Sequence, residues 1–209
     1  AYGLHAEPTH VVRGYSNALD WVLFDELDSE ASAGSLRAVG TGDGFGVIYV
    51  TAEHTYWIEF EDGAFDFLAC RYSAHHWRDF EGGVREARRV LQHGATAVFI
   101  DVVAPAHPLL DTHLQAVELL RDTSHVRNYN AAEWIAAVGR AGFAPNVYRT
   151  WRVRMDFPVW IARMRTPEPH ARAIRSLQDG ASAETRKHFA IESDGSFMLD
   201  VHMLGMNAA

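Results

Sequence analysis

Residues 95–103 read ATAVFIDVV, a continuous apolar run that carries one acid, Asp101, near its end. Such a run is typical of a central strand that is buried on both faces. A second apolar run, Phe65–Cys70, precedes it, and residues Phe80–Gln92 between the two place apolar side chains on one helical face. The order of strand, helix and strand predicts two parallel strands joined by a crossover helix.

The rest of the chain adds helices and strands to this unit. Apolar residues at helical spacing predict an amphipathic helix over about residues 9–26. The other expected elements are a helix from Pro108 to about Arg121, a helix opened by the capping pair Asn130 and Glu133 and ended by Gly142, a half-exposed strand from Asn146 to Phe157, short helices between Pro158 and Ala190, and a final strand at SFMLDVHMLGM. The sequence therefore predicts an α/β fold whose mostly parallel sheet has helices on both faces.

Composition excludes several classes of partner. The formal net charge of −8 argues against nucleic acid or an anionic membrane surface, because both need basic patches. Cys70 is the one cysteine, so an intrachain disulfide and a cysteine-rich zinc site are excluded, which fits a reducing cytoplasm. The opening AYGLHAEPTH has no signal-peptide pattern, and no stretch approaches the roughly 20 apolar residues that span a bilayer. We therefore expect a cytoplasmic protein.

The ends of the predicted parallel strands indicate where a site lies. Ligands of open α/β sheets bind at the carboxyl ends of the strands, which places Cys70, Arg71 and Asp101 near a site. His75 and His76 follow the same strand, and imidazole is the side chain best suited to accept a proton near neutral pH. The alternative for the two histidines is an ordinary turn before a helix, and Cys70 is better explained as a small buried residue than as a nucleophile.

A metal hydrolase is a rival interpretation of the histidine and acid content. The candidate ligands are scattered imidazoles and carboxylates, namely His75, His76, Asp79, His107, Asp111 and His113. No HxH or HExxH pattern occurs, and adjacent histidines on a strand point to different sides. We therefore expect no metal site.

Several longer segments occur in an order that resembles a known family. FEDGAFDFLACRYSAHHW, then EGGVREARRVLQHG and ATAVFIDVVAP, resemble the second half of a class I S-adenosylmethionine-dependent methyltransferase. LLDTHLQAVELLRDTSHVRNYNAAEW, VWIARMRTPE and DGSFMLDV are similar to a bacterial subgroup related to the ubiquinone/menaquinone-biosynthesis methyltransferases. The resemblance covers about residues 52–206. It implies a Rossmann-like sheet with an antiparallel last strand, S-adenosylmethionine as cofactor and a small, partly apolar acceptor as substrate.

The resemblance also implies a set of site residues. VGTGDGFG is similar to the glycine-rich first loop of the family, and Gly40, Gly42 and Gly44 have the spacing that lets backbone approach a nucleoside closely. Its alternative is a simple glycine-rich hairpin. In the family interpretation Thr51, Ala52 and Glu53 flank the adenine. Cys70 and Arg71 line the cofactor pocket, and His75 or His76 faces the acceptor as a catalytic base.

The amino-terminal part departs from the family pattern. Only residues 45–59 separate the glycine loop from FEDG, which is too short for the usual two helices and two strands, and no ribose-binding acid is evident. Either this part is shortened or the natural protein has residues that the sequence lacks. The departure leaves open a degenerate methyltransferase fold that binds a ligand or partner without catalysis.

The domain organisation expected from these patterns is simple. We expect one methyltransferase-like domain over residues 1–209, with a poorly matching part at 1–50 and a carboxyl-terminal elaboration at 146–209. The aromatic residues Trp151 and Trp160 in the elaboration could roof an apolar acceptor pocket. They could equally belong to the core or to the interface of a homodimer.

Overall fold

The computed structural model describes the backbone of residues 12–14, 21–23, 34–41 and 44–51 and the complete residues 61–209. Its strands are β1 Val12–Gly14, β2 Trp21–Leu23, β3 Gly34–Thr41, β4 Gly44–Thr51, β5 Phe65–Arg71, β6 Leu91–Val102, β7 Phe143–Met155 and β8 Phe197–Ala208. Its helices are α1 Phe80–Arg89, α2 Pro108–Arg121, α3 Ala131–Arg140, α4 Phe157–Arg163, α5 Glu168–Asp179 and α6 Ala183–Phe189. None of the helices in these described parts is long and apolar enough to cross a membrane.

The main sheet has the strand order β4-β3-β5-β6-β8-β7. β5 and β6 are parallel, with Cys70 opposite Phe99, which confirms the predicted crossover unit around α1. β8 runs antiparallel to both of its neighbours, so β7 points in the same direction as β5 and β6. β3 runs antiparallel to β5 and to β4. Four of the six strands therefore share one direction, and the predicted antiparallel last strand is confirmed.

The crossover helix is shorter than predicted because its apolar end belongs to the next strand. Asp79 accepts a hydrogen bond from the backbone N–H of Gly82 and so caps the first turn of α1. The helix ends at Arg89, whereas the prediction extended it to Gln92. Val90 and Leu91 are buried, and β6 begins at Leu91, because these two side chains enter the core as the chain turns into the sheet.

Two hydrophobic clusters cover the sheet. On one face, Ala97 and Phe99 of β6 and Leu204 of β8 pack with α1 and α3, where Trp134 is the largest buried side chain. Side chains of opposite parity, such as Val102 of β6, join a second cluster with α2, α4, α5 and α6. Helices therefore lie on both faces, as predicted. The capping box of Asn130 and Glu133 that opens α3 is present as predicted.

The predicted helix over residues 9–26 is wrong within the described residues. Val12–Gly14 and Trp21–Leu23 are instead two short antiparallel strands, with Arg13 opposite Val22. The segment is rich in β-branched and aromatic residues and has a glycine at position 14. These features favour extended backbone over a helix, and they outweigh the helical spacing on which the prediction was based.

The glycine-rich segment forms a hairpin, which was the alternative to a cofactor loop. β3 and β4 are antiparallel, with Gly40 opposite Phe45 and Thr41 opposite Gly44. Gly42 lies outside the described residues. β3 leads into another strand, whereas the glycine loop of the family leads into a helix.

Phe99 at the centre of β6 should be the most sensitive position of the first cluster. Its ring is fully buried and contacts the rings of Trp77, Trp134 and Phe143. We expect Phe99→Ala to lower the free energy of unfolding by about 3–5 kcal/mol, because it leaves a cavity among these rings. Urea denaturation followed by tryptophan fluorescence measures the change. The control Leu119→Ala, at a half-exposed position on α2, should cost far less.

Candidate active site

The carboxyl ends of β5 and β6 are joined by a buried carboxylate. After β5 the chain passes through Tyr72, whose backbone is left-handed (φ 48°), and then makes one short turn at Ala74–His76. Asp101 of β6 accepts hydrogen bonds from the N–H groups of Ser73 (3.2 Å), Ala74 (2.9 Å) and Val102 (2.8 Å). The turn that carries the two predicted histidines is therefore fixed to the neighbouring strand.

His75 and Asp101 form a close acid–imidazole pair. His75 Nδ1 lies 2.6 Å from Asp101 Oδ1, and Asp101 is 1% exposed. Burial disfavours the charged carboxylate, but the charge and hydrogen bond of His75 outweigh it and lower the pKa of Asp101. Burial also disfavours the imidazolium, yet Asp101 outweighs it and raises the pKa of His75. The proton between the two groups therefore belongs to His75, and Asp101 is the ionised partner.

His76 and His125 complete a cluster of three imidazoles. The ring centroid of His75 lies 4.2 Å from that of His76 and 5.7 Å from that of His125. Burial, followed by the charge of His75, lowers the pKa of His76 to about 4 and that of His125 to about 3. Both rings are neutral at pH 7, so His75, whose pKa is raised, is the ring of this cluster that holds a proton most strongly.

Gln115 fixes the tautomer of His125. Gln115 Nε2 donates to Asp111 Oδ1 (2.7 Å) and to the carbonyl of Asn128 (2.8 Å). Its Oε1 therefore accepts, from the backbone N–H of Asn128 (2.9 Å) and from His125 Nε2 (2.9 Å). The proton of His125 is on Nε2, and Nδ1 carries a buried lone pair with no hydrogen-bond partner among the described residues.

Two further buried polar side chains lie in the same region. His202 of β8 is the cross-strand neighbour of Asp101, and its ring packs against Trp134 (5.1 Å) and Tyr148 (5.8 Å). Within residues 61–209, neither of its ring nitrogens has a hydrogen-bond partner, and the same is true of the side-chain amide of Asn128. Burial lowers the pKa of His202 to about 4, so its ring is neutral at pH 7. The neutral side chains of His202 and Asn128 therefore lie in the same region as the charged pair of His75 and Asp101.

The predicted site residues are only partly brought together. His75, His76 and Asp101 meet at the carboxyl edge, where the guanidinium of Arg71 also lies over the Tyr72 ring at 4.8 Å. The Cys70 side chain is 3% exposed in the first cluster, so only its backbone faces this edge, and the interpretation as a small buried residue fits.

The remaining predicted cofactor residues divide between the two edges of the sheet. β4 runs in the same direction as β5, so Thr51, the last residue of β4, lies at the carboxyl edge of the sheet. Ala52 and Glu53 lie outside the described residues. Because β3 is antiparallel to β5, with Gly40 opposite Phe67, the end of β3 at Gly40 and the adjoining start of β4 at Gly44 lie toward the amino end of β5. The structure does not bring these glycines to Arg71.

The four candidate metal ligands other than His75 and His76 lie apart from that pair and have contacts or positions of their own. Asp79 caps α1, His107 precedes α2, Asp111 binds Gln115, and the ring of His113 packs on Phe189. No group of three or more histidine, cysteine or acidic side chains within the described residues is arranged to hold a metal ion.

Sequence reasoning did not select His125, Asn128 or His202 as site residues. His125 lies in the run RDTSHVRNY, whose histidine between arginines was the only available signal. His202 reaches the site through the pairing register of β8 with β6, which short-range patterns do not specify.

The fold defines an α/β protein of the Rossmann-like class, and the pair of His75 and Asp101 lies at the carboxyl edge of its sheet. Residues 26–99 match the family described as Methyltransferase domain. The uncharacterized protein YafE of Escherichia coli K12 is 40% identical over 187 residues, which are 90% of this chain and 86% of that protein. The uncharacterized methyltransferase YcgJ of Bacillus subtilis is 35% identical over 134 residues, 64% of this chain and 53% of that relative.

Solved structures agree with these relatives. The crystal structure of YcgJ has a TM-score of 0.69 at 32% identity and covers 77% of this chain and 70% of its own. A candidate methyltransferase of Bacillus halodurans, BH2331, has a TM-score of 0.69 at 25% identity, with 75% and 74% covered. The chain belongs to the class I S-adenosylmethionine-dependent methyltransferases, as the sequence resemblance implies. The ubiquinone-related subgroup stays a prediction.

The neutral His202 predicts a specific pH dependence of stability. Its pKa is about 4 when folded and near 6.5 when unfolded, so its contribution is present above pH 6.5 and is lost as the pH falls toward 4. The parent should lose free energy of unfolding between pH 7 and pH 5, and we expect His202→Leu to make that loss smaller by about 2 kcal/mol. Urea midpoints at the two pH values measure it. Equal pH dependence in variant and parent would contradict the assignment.

Proposed function

We propose that the protein transfers a methyl group from S-adenosylmethionine to a small, partly apolar acceptor that loses a proton to His75. The observation that carries this proposal is the 2.6 Å contact between His75 Nδ1 and Asp101 Oδ1 at the carboxyl edge of β5 and β6. Methyl transfer from a sulfonium needs alignment and exclusion of water, and a base only where the acceptor must be deprotonated. A base held this firmly supports an acceptor with a dissociable O–H, N–H or S–H group.

The chemistry of His75 follows from its hydrogen bonds. Asp101 is fully ionised and accepts from His75 Nδ1–H, so Nε2 is the nitrogen that receives a proton. The backbone N–H groups of Ser73 and Ala74 satisfy the other carboxylate oxygen and hold it in place. His75 can act once it has lost its proton, above its raised pKa. It then takes the acceptor proton as the acceptor forms its bond to the methyl carbon.

The carboxyl edge between β4 and β5 is the proposed place of the cofactor. Bound S-adenosylmethionine would supply the electrophilic methyl and leave as S-adenosylhomocysteine. Arg71 and Tyr72 are half-buried, so part of their surface is available at this edge. Thr51 is the last residue of β4, which is the second strand from β5 in the sheet. We propose that the backbone of Cys70 and Arg71 and the segment Thr51–Glu53 contact the cofactor. Contacts from Gly40, Gly42 and Gly44 stay a prediction that the direction of β3 does not favour.

The electrostatics of the site suit a cationic donor. His76 and His125 are neutral, so these rings add no repulsion toward a sulfonium, and the ionised Asp101 balances the charge of protonated His75. We propose that the reaction takes place in the cytoplasm, where a buried thiol such as that of Cys70 stays reduced. We also propose that the whole chain acts as one domain.

Replacing the base should separate catalysis from binding. We expect His75→Ala to lower kcat by about 10²- to 10⁴-fold with little change in S-adenosylmethionine affinity, because the base acts on the acceptor proton. Formation of S-adenosylhomocysteine with a panel of phenols, thiols and amines measures the rate. The control His76→Ala, in the adjacent ring, should retain most activity. Equal losses in both variants would contradict the proposed role of His75.

Asp101 should set the pH at which the base works. Because its charge raises the pKa of His75, we expect Asp101→Asn to move the acid limb of the rate profile to lower pH and to reduce the maximal rate. The pH dependence of kcat/KM in the parent and the variant provides the comparison. An unmoved acid limb would show that another group titrates.

Cofactor binding tests the location of the site. We expect Arg71→Ala to weaken binding of S-adenosylmethionine about tenfold or more, while Gly40→Ala leaves it near the parent value, because Arg71 and Gly40 lie toward opposite edges of the sheet. Titration calorimetry measures both. The reverse order would return the site to the glycine turn, and absence of binding by the parent would favour a degenerate, non-catalytic fold.

A further inference from the structure

β7 is the edge strand of the main sheet and is unusually exposed. Among the described residues it pairs only with β8, and residues 144–152 are all exposed to solvent. Its apolar side chains include Val147 (39% exposed), Tyr148 (45%) and Trp151 (39%). A long edge strand with exposed apolar side chains presents unpaired backbone groups and is a template for pairing with another strand.

The central residues of β7 are complementary to themselves. Residues 147–153 read VYRTWRV, and antiparallel pairing of two copies centred on Thr150 places Tyr148 opposite Arg152 and Arg149 opposite Trp151. Val147 then lies opposite Val153, and Thr150 opposite Thr150 of the second copy. Directly opposite residues of an antiparallel pair lie on the same face, so every aromatic ring of this segment meets an arginine.

The faces of these pairs follow from the pairing of β7 with β8. Tyr148 and Arg152 are opposite Leu204 and Asp200, and they lie on the face of the first cluster. Arg149 and Trp151 therefore lie on the other face. Arginine over an aromatic ring is a favourable cation–π pair, and twofold symmetry provides each of the two pairs twice.

The same sequence disfavours a neighbouring register. A shift of one residue that sets Thr150 opposite Trp151 also sets Arg149 opposite Arg152, and like charges directly opposite are destabilising. Arg152 already bonds Asp200 at 2.9 Å, whereas Arg149 has no carboxylate within 4.0 Å in the described part of the chain. Arginines at a sheet edge usually keep copies apart. Here only the centred register places each of them against a ring.

We infer that β7 pairs with β7 of a second copy of this chain about a twofold axis at Thr150, which joins the two main sheets edge to edge. A groove of about 460 Å³ lies beside β7, and the residues that line it include Ala104, Ala131, Tyr148, Thr150, Trp151 and Arg152. Its lining residues on β7 all belong to the segment that pairs with the second copy. The two grooves therefore adjoin at the axis, and each copy places Arg152 beside the Tyr148 ring of the other. This inference is independent of the proposed chemistry at His75.

Variants that place opposite charges at position 150, on the proposed twofold axis, test this inference. We expect the parent protein to sediment at twice 23.4 kDa at micromolar concentration. Thr150→Glu and Thr150→Lys should each sediment as monomers, because the new charge faces its own copy. An equimolar mixture of the two variants should recover the dimer. A monomeric parent, a dimeric single variant, or a mixture that stays monomeric would each overturn the inference.

Matched variants control for loss of folding. Ile135→Glu, at an exposed position on α3, should leave the dimer intact, and circular dichroism should show the same helix and strand content for both Thr150 variants and the parent. Thr150→Cys adds a second measurement. Opposite Cα atoms of an antiparallel pair are about 4.5–5.5 Å apart, so oxidation should cross-link the two copies through position 150. Native Cys70 is 3% exposed and should not react; absence of the cross-link would overturn the inference.

Discussion

The carboxylate of Asp101 is the interaction on which the candidate active site depends. It is buried at the end of the central strand and accepts three backbone N–H groups and the imidazole of His75. A buried carboxylate without such partners would be strongly unfavourable, so the turn after β5 must close over it. The turn that satisfies the charge is the turn that carries His75 and His76. The same requirement that stabilises the fold at this edge therefore orients His75, the proposed base.

The crossover unit could be predicted because its signals are local. The apolar run of β6, the helical face of α1 and the capping box at Asn130 each depend on residues close in sequence, and each was confirmed. The helix over residues 9–26 was wrong, since periodicity in a short segment competes with the extended preference of β-branched and aromatic residues. The glycine spacing was equally compatible with the hairpin of β3 and β4.

The candidate site was predictable where it lies at the ends of the two neighbouring parallel strands. His75 and His76 follow β5 directly, and the ends of two adjacent parallel strands meet at one edge, so Asp101 could be placed beside them. His125 enters from the segment between α2 and α3, and its tautomer depends on a glutamine ten residues away. His202 enters through the register of β8. A slip of one residue would turn His202 to the other face, and no pattern within β8 itself specifies that register.

The buried inner strands β5 and β6 and the exposed edge strand β7 form two parts of the sheet with different properties. β5 and β6 lie inside the sheet, where each polar group must find a partner, and their ends therefore support a fixed arrangement of charge. β7 shares their direction, so its end lies at the same edge of the sheet, but one side of the strand has no neighbour among the described residues. Arg152 is bonded to Asp200, the residue of β8 two positions before His202, which is itself opposite Asp101. Pairing of β7 with a second copy would therefore fix the strand next to His202. It would order the outer wall of the groove without altering the buried pair at Asp101.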